Sequence, residues 1–186
     1  PDSEIPSDHA IVSLMYQMAE KVGVKYVISG DNIRTETHVP EAWSQGHFDW
    51  KYIQSVHARF GRVPLRTYPH RNWWQEERYR QKQIWVYLLY YIDYEKKDAV
   101  KFLEEQLGWR NYGSKHYESI YTRFYQGYIL PAKFGYDKRR GHVSSLVCSG
   151  EITREEALQV LEQPSYPPNL QEDDREYVVK KLGLTQ

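Results

Sequence analysis

The sequence predicts a mainly helical α/β protein with a small parallel sheet, and three observations carry that reading. Residues 24–29 form a short β-branched apolar run directly after a helical stretch that Gly23 ends. The polar turn formers Gly30, Asp31 and Asn32 follow it at once, as they would at the carboxyl end of a strand. From Trp73 the apolar residues recur at helical spacing almost to the end of the chain.

Taken in order, Ser7 or Asp8 can cap a first helix in which Ile11, Leu14, Met15, Met18 and Val22 keep the helical period. Residues 24–29 then read as a buried strand. A polar loop through Thr35, Glu36, Pro40 and Trp43 leads to a helix over 49–60. Its apolar face holds Trp50, Ile53, His57 and Phe60, which makes His57 a packed core histidine, and Gly61 stops it. Residues 63–68 are a second candidate strand, ended by Pro69. Residues 76–91 read as a central helix, since Ile84, Trp85, Leu88 and Leu89 leave it little polar surface. Helices over 96–107, 115–129, 138–149, 153–161 and 171–182 complete the chain. Thr153 with Glu156 and Asn169 with Glu172 have the spacing of capping boxes. Two strands do not make a stable parallel sheet, so further strands upstream of this sequence are expected.

Composition narrows the function classes. The chain balances 25 basic against 25 acidic residues, which disfavours a general nucleic-acid binder. Its 17 tyrosines and 6 tryptophans predict a core and pockets lined by rings with polar tips. The single cysteine, Cys148, excludes an internal disulfide, suits a cytoplasmic protein, and reads as a buried structural thiol. No apolar run approaches the roughly 18 residues that span a bilayer. The histidines lack metal-ligand spacing, so no metal site is expected, and no P-loop or dinucleotide fingerprint occurs. Glu76/Glu77 and Glu104/Glu105 are adjacent on helices and diverge, which leaves paired-carboxylate hydrolysis without support.

Residues 111–150 break the charge balance. Lys115, Arg123, Lys133, Lys138, Arg139 and Arg140 stand there against Glu118 and Asp137, with His116 and His142 beside them and aromatic rings interleaved from Trp109 to Tyr136. Cations in the first turn of the helix at 138 oppose the helix dipole by a few tenths to about 1 kcal/mol each. Two readings follow: an anion arrives at that helix terminus, or the cluster is a surface group paired with local acids. Either way Arg139 and Arg140 are expected to be exposed and nearly neutral for folding. Gly30, Asp31 and Asn32 could likewise meet a nucleotide or form an ordinary turn.

Ile28-Ser29-Gly30-Asp31-Asn32 with Thr35-Glu36, Pro40 and Trp43, then Asp49, Phe60-Gly61 and the run from Tyr112 to Glu156, resemble the N-acetyl sugar amidotransferase family of lipopolysaccharide biosynthesis. The likeness is most specific at Lys115-His116-Tyr117-Glu118-Ser119, Thr122-Arg123-Phe124-Tyr125-Gln126, and Asp137-Lys138-Arg139-Arg140 through His142 to Ser149-Gly150. That family is asparagine-synthetase-like, made of PP-loop ATP pyrophosphatases with an α/β fold of the HUP (adenine nucleotide alpha hydrolase-like) type. Its Ser-Gly-Gly-x-Asp-Ser loop and its amino-terminal cysteines are absent here. The resemblance therefore implies a carboxy-terminal portion, with 1–70 ending an ATP domain as a partial parallel sheet and 71–186 forming a helical substrate-binding region packed on it.

The resemblance also implies a reaction. ATP adenylylates the oxygen of a sugar acetamido group, ammonia attacks the resulting imidate carbon, and AMP leaves behind an acetamidino group. Expected partners are a nucleotide-linked N-acetyl sugar and ammonia-supplying subunits like the glutaminase and cyclase of imidazole glycerol phosphate synthase. ATP and Mg²⁺ belong to the full-length parent, and none is expected on this chain alone. Lys115, Arg123 and Lys138 are the expected catalytic cations. Gly30, Asp31, Asn32 and Glu36 are expected at the nucleotide, and Lys133, Arg139, Arg140, His142 and His116 at the substrate. The competing readings are an ATP pyrophosphatase acting on another acceptor such as tRNA, and a non-catalytic helical module that binds a protein partner.

Overall fold

The structure, a computed structural model, describes residues 3–35, 40–43, 46, 48–111, 117 and 119–184. It is mostly helical with one two-stranded parallel sheet, and it divides into two units. The first comprises Pro1–Asp31 and Pro40–Tyr91, the second Asn32–Val39 and Ile92–Gln186.

In the first unit α1 (Ile5–Val22) starts without a side-chain cap but with Pro6 in its first turn, where a missing N–H costs nothing. Gly23 ends it in the left-handed region at φ 74°, which a glycine adopts without steric penalty. The helix buries Ile5, His9, Ser13, Tyr16 and Ala19. The apolar stripe read from the sequence lies on the opposite side and is exposed from Ile11 to Val22. The buried face is mixed, and its polar members have partners there: Ser13 Oγ donates to the His9 carbonyl at 2.6 Å and accepts from Arg71 at 3.0 Å. Tyr16 stacks on Tyr79 with ring centres 5.1 Å apart.

Strand β1 (Tyr26–Ser29) pairs in parallel with β2 (Ile84–Tyr87), Tyr26 opposite Ile84 and Ser29 opposite Tyr87. Between them come α2 (Trp50–Phe60), capped by the Asp49 carboxylate on the Tyr52 amide, and α3 (Trp73–Lys82). Four expectations are corrected here. Residues 76–91 are not one helix: α3 stops at Lys82, and the run Ile84-Trp85-Val86-Tyr87 pairs with β1. A four-residue apolar run fits helix or strand equally from spacing alone, and pairing decides. Residues 63–68 form no strand, because Pro64 removes a ladder donor and Leu65 to Tyr68 close a turn. Strand β1 is not buried; Ile28 is 69% exposed. His57 is half-buried rather than a core residue, its Nε2 lying 2.8 Å from the Val63 carbonyl.

The second unit contains α4 (Lys96–Leu107), α5 (Ile120–Phe124), a π-helical turn (Tyr125–Ile129), α6 (Leu130–Phe134), α7 (Arg139–Cys148), α8 (Arg154–Glu162) and α9 (Pro168–Leu182). Its buried centre is Phe124, Tyr166 and Val178, against which Ile120, Tyr121, Tyr128, Ile129 and Leu170 pack. The capping box at Thr153 and Glu156 forms as its spacing predicts. The one at Asn169 does not, since Pro168 opens α9 a residue earlier; Asn72 with Gln75 makes a capping box instead. Cys148 is exposed, not buried, because it ends α7 away from the core. No described helix is long and apolar enough to cross a membrane.

Candidate functional site

The basic cluster is organised by a deformed helix. α5, the π turn and α6 run on from one another, with Pro131 near the junction. Proline has no N–H to give the carbonyl four residues back, so the Gly127 carbonyl is released from the helix ladder. Ser165 Oγ donates to it at 2.9 Å. Gly127 itself is required by close packing, since a Cβ there would lie 2.5 Å from Cδ2 of Tyr166. The helix is thereby pinned to the segment just before α9.

That pinning assembles a charge network. Arg123 Nε and Nη2 each donate to the Asp174 carboxylate at 2.6 Å, a bidentate fork. The Tyr166 hydroxyl donates to the same carboxylate. Arg123's hydrogen bonds hold the Asp174 carboxyl below its usual range. Burial, and then Asp174, push the Tyr166 hydroxyl well above its ordinary value. Arg123 is thus an interior cation with a dedicated partner.

Arg139 has a comparable role. Its guanidinium donates to both Asp137 oxygens, Nη2 at 2.8 Å, and Nη1 reaches the carbonyls of Val160, Gln163 and Pro164 at 2.9–3.3 Å. Those carbonyls lie at or just past the end of α8, where backbone acceptors are left over and the dipole favours a cation. Asp137 in turn accepts from the Arg139 amide at 3.0 Å, so a carboxylate of the chain itself serves the start of α7. Burial alone would raise Asp137, but the Arg139 hydrogen bonds keep its carboxyl below the usual range. Of the two readings of this cluster, pairing with a local acid describes Arg139. The expectation that Arg139 is exposed is corrected, its side chain being 23% exposed and paired with Asp137.

Arg123, Lys138, Arg139 and His142 line one small cavity with Tyr117, Gln126 and Asp137, about 40 Å³ in volume. A space of that size holds a water-sized group. A phosphate would therefore be met at its rim, where half-buried Lys138 has no ion-pair partner among the described residues; Arg140, two residues on, is exposed and is not part of the lining. Lys133 lies outside this lining, its ammonium over the Phe134 ring. Lys115, His116 and Glu36 fall outside the described residues.

The turn after β1 is built differently. Asp31's amide donates to Ser29 Oγ at 3.2 Å, and Ser29 Oγ donates to the Asp31 carboxylate at 2.8 Å. The turn offers negative charge rather than free N–H groups. Asn32 is buried and belongs to the second unit, where its Oδ1 accepts from the Arg34 amide at 2.9 Å and its Nδ2 has no partner among the described residues. Arg34 ties this segment to Asp93 at 2.9 Å and to the Tyr94 carbonyl at 3.0 Å. Sequence reading missed Asp174 and Ser165, which sit 51 and 38 residues from Arg123 and Gly127, and Tyr166, which is 8 residues from Asp174. Tyr166 stands between Pro164 and Pro167, a composition that marks a turn and no ligand or charge partner.

Residues 118–186 match the family model described as LPS biosynthesis protein WbpG-like, C-terminal domain. No curated protein and no solved structure was found to match the sequence. Arg123 and Asp174 fall within the matched residues, as do the residues lining the cavity apart from Tyr117.

Proposed function

We propose that this chain is part of an ATP-dependent amidotransferase that converts the acetamido group of a nucleotide-linked N-acetyl sugar into an acetamidino group with ammonia, in lipopolysaccharide O-antigen biosynthesis. The observation that carries the reading is Lys138 in the lining of a cavity whose other residues, Tyr117 apart, fall within the matched residues 118–186, with the exposed Arg140 two residues further on. Its wall cations Arg123 and Arg139 are held rigidly by carboxylates, so they orient the rim without competing for ligand. Lys138 and Arg140 would take the diphosphate of the sugar nucleotide as charge-assisted hydrogen bonds. The ammonia would come from partner subunits of the glutaminase and cyclase type.

ATP itself does not fit the residues present. The sequence has no glycine-rich phosphate loop, and the turn after β1 directs a carboxylate outward. The triphosphate would have to be held by other parts of the parent protein. An exposed two-stranded parallel sheet and the bare apolar stripe of α1 support such a parent, since parallel sheets are ordinarily covered on both faces.

The test is calorimetric titration of the chain with UDP-N-acetylglucosamine, with the Lys138→Ala and Arg140→Ala variants alongside. Each variant should weaken binding by about 1.5–3 kcal/mol per charged hydrogen bond lost, with the unfolding midpoint unchanged. Affinities within twofold of the parent would refute the site. Mg-ATP should show no micromolar binding to the chain.

A further inference from the structure

The first unit holds a second and larger concavity that the amidotransferase reading does not use. One cavity of about 670 Å³ lies where α2 and α3 begin, bounded by Trp50, Arg71, Asn72 and Trp73. Another of about 420 Å³ lies beside β2, bounded by Tyr16, Gln83, Trp85 and Tyr87. Phe48, Glu76 and Arg80 line both, so the two adjoin. Volumes of several hundred cubic ångströms are those of small-ligand pockets.

Three buried polar atoms in these walls have no partner among the described residues: Arg71 Nη2, Gln83 Oε1 and Trp85 Nε1. The rest of each side chain is anchored. Arg71, with its side chain 1% exposed, donates through Nε to Glu76 and through Nη1 to Ser13 Oγ at 3.0 Å. Its backbone amide donates to His9 Nε2 at 3.3 Å, and its guanidinium lies 5.1 Å from the Phe48 ring centre. Gln83 is 4% exposed and donates through Nε2 to the Tyr16 carbonyl at 2.9 Å. Each group is therefore held in place with one hydrogen-bonding atom left over. Buried polar atoms are ordinarily paired, and these three belong to residues that line one or the other of two adjoining cavities.

We propose that this concavity binds an uncharged saccharide. Two leftover donors, on Arg71 and Trp85, and one leftover acceptor, on Gln83, call for a ligand that both accepts and donates, as sugar hydroxyls do. Charge argues against a phosphate: Asp31, Asp49, Glu76 and Glu77 outnumber Lys51, Arg71 and Arg80 along the walls. Ring faces supply the apolar side. Trp73 is 67% exposed at the margin, its ring edge-on to Trp74 at 4.4 Å, and offers a platform for the C–H face of a pyranose. The inference does not rest on the proposed amidotransferase activity. It uses no residue of the matched segment 118–186 and requires no nucleotide on the sugar.

The experiment follows tryptophan fluorescence and saturation-transfer NMR of the whole chain titrated with N-acetylglucosamine, galactose and inorganic phosphate. Trp85→Phe keeps an aromatic ring at the position but removes the unpaired N–H together with part of the indole's area. Trp73→Ala removes an exposed platform, so folding is preserved. A sugar should saturate the signal, and either variant should weaken it about five- to tenfold, the value of one hydrogen bond or ring contact. Arg140→Ala should leave sugar binding unchanged, which separates this site from the proposed phosphate rim. The inference is overturned if neither sugar saturates, because the cavities then hold only water. Preferential binding of phosphate overturns it too, as does sugar binding that both tryptophan variants leave intact.

Discussion

The two units solve the same problem in opposite ways. In the second unit the aromatic stripe of α5 and the π turn is inside, and the charges beside it are matched atom for atom: Arg123 with Asp174, Tyr166 with Asp174, Arg139 with Asp137. In the first unit α1 turns its apolar stripe outward and buries a mixed face that carries His9 and Ser13, and Arg71, Gln83 and Trp85 each keep an atom without a partner among the described residues. The Arg123–Asp174–Tyr166 network derives its stability from its own contacts, although Asn32 Nδ2 and Glu151 Oε1 of the same unit have no partner among the described residues; a surface that leaves apolar side chains outside and polar atoms unmatched inside has contacts still to make. The difference teaches where substitution should affect folding and where it should affect only ligand binding.

The largest expected effect is Asp174→Ala. Removing the carboxylate leaves the Arg123 guanidinium without its bidentate partner and the Tyr166 hydroxyl without an acceptor, with the lost side chain itself only 4% exposed. Breaking one partner of a buried pair costs about 3–5 kcal/mol. Hydrogen exchange read peptide by peptide should show protection lost in α5 and α9, with β1 and β2 unchanged. Equal loss in both units would break the comparison.

Acid should do by titration what that substitution does by deletion. Asp137 and Asp174 both have folded carboxyls below the ordinary 3.8, so the unfolded chain takes up protons first as pH falls. The stability they contribute is whole above about pH 3.8 and is lost as pH drops through the lower folded values. On the alkaline side Tyr117 and Tyr166 sit above their ordinary 10.0, chiefly through burial, and their contribution is whole below pH 10 and lost above it. Unfolding curves across pH should show both limbs, and the acid limb should flatten in Asp174→Asn. An unchanged acid limb would mean that Asp174 does not carry it.

Arg139→Ala comes next. It removes the hydrogen bonds to Asp137 and to the carbonyls at the end of α8, for about 1.5–3 kcal/mol. Arg140→Ala, one residue on and exposed, should stay within about 0.5 kcal/mol. Chemical denaturation of the pair tests whether adjacent cations of one cluster have separate roles. Equal effects would return the cluster to a uniform charged surface.

That contrast also marks how far the sequence could be read. Helices closed by local signals were legible: Gly23 after α1, Asp49 before α2, and Thr153 with Glu156 before α8 all act within four residues. The parallel pairing of β1 with β2 was not, because it joins segments more than fifty residues apart and Ile84–Tyr87 carries no turn signal of its own. Within the site, charge density singled out Arg123, Lys138, Arg139 and His142, and these do share one cavity. What charge density could not reveal is which cations are already paired. Asp174 lies 51 residues from Arg123, and the Arg139 acceptors are backbone carbonyls, which every residue possesses.

The smallest expected effect tests the comparison from the other side. Leu14 belongs to the α1 stripe whose spacing, read alone, describes a core face. Truncating or polarising a core leucine costs about 2–5 kcal/mol. In the structure Leu14 is 47% exposed, and Ile11, Met15 and Met18 beside it are exposed too. Leu14→Gln should therefore change stability by no more than about 0.5 kcal/mol, since glutamine is nearly as good a helix former and an exposed leucine forfeits little on removal. Thermal and chemical unfolding of this chain would read it directly. A loss near 2 kcal/mol would place the stripe in a buried interface in solution, and the first unit would then be covered where its surface here is bare.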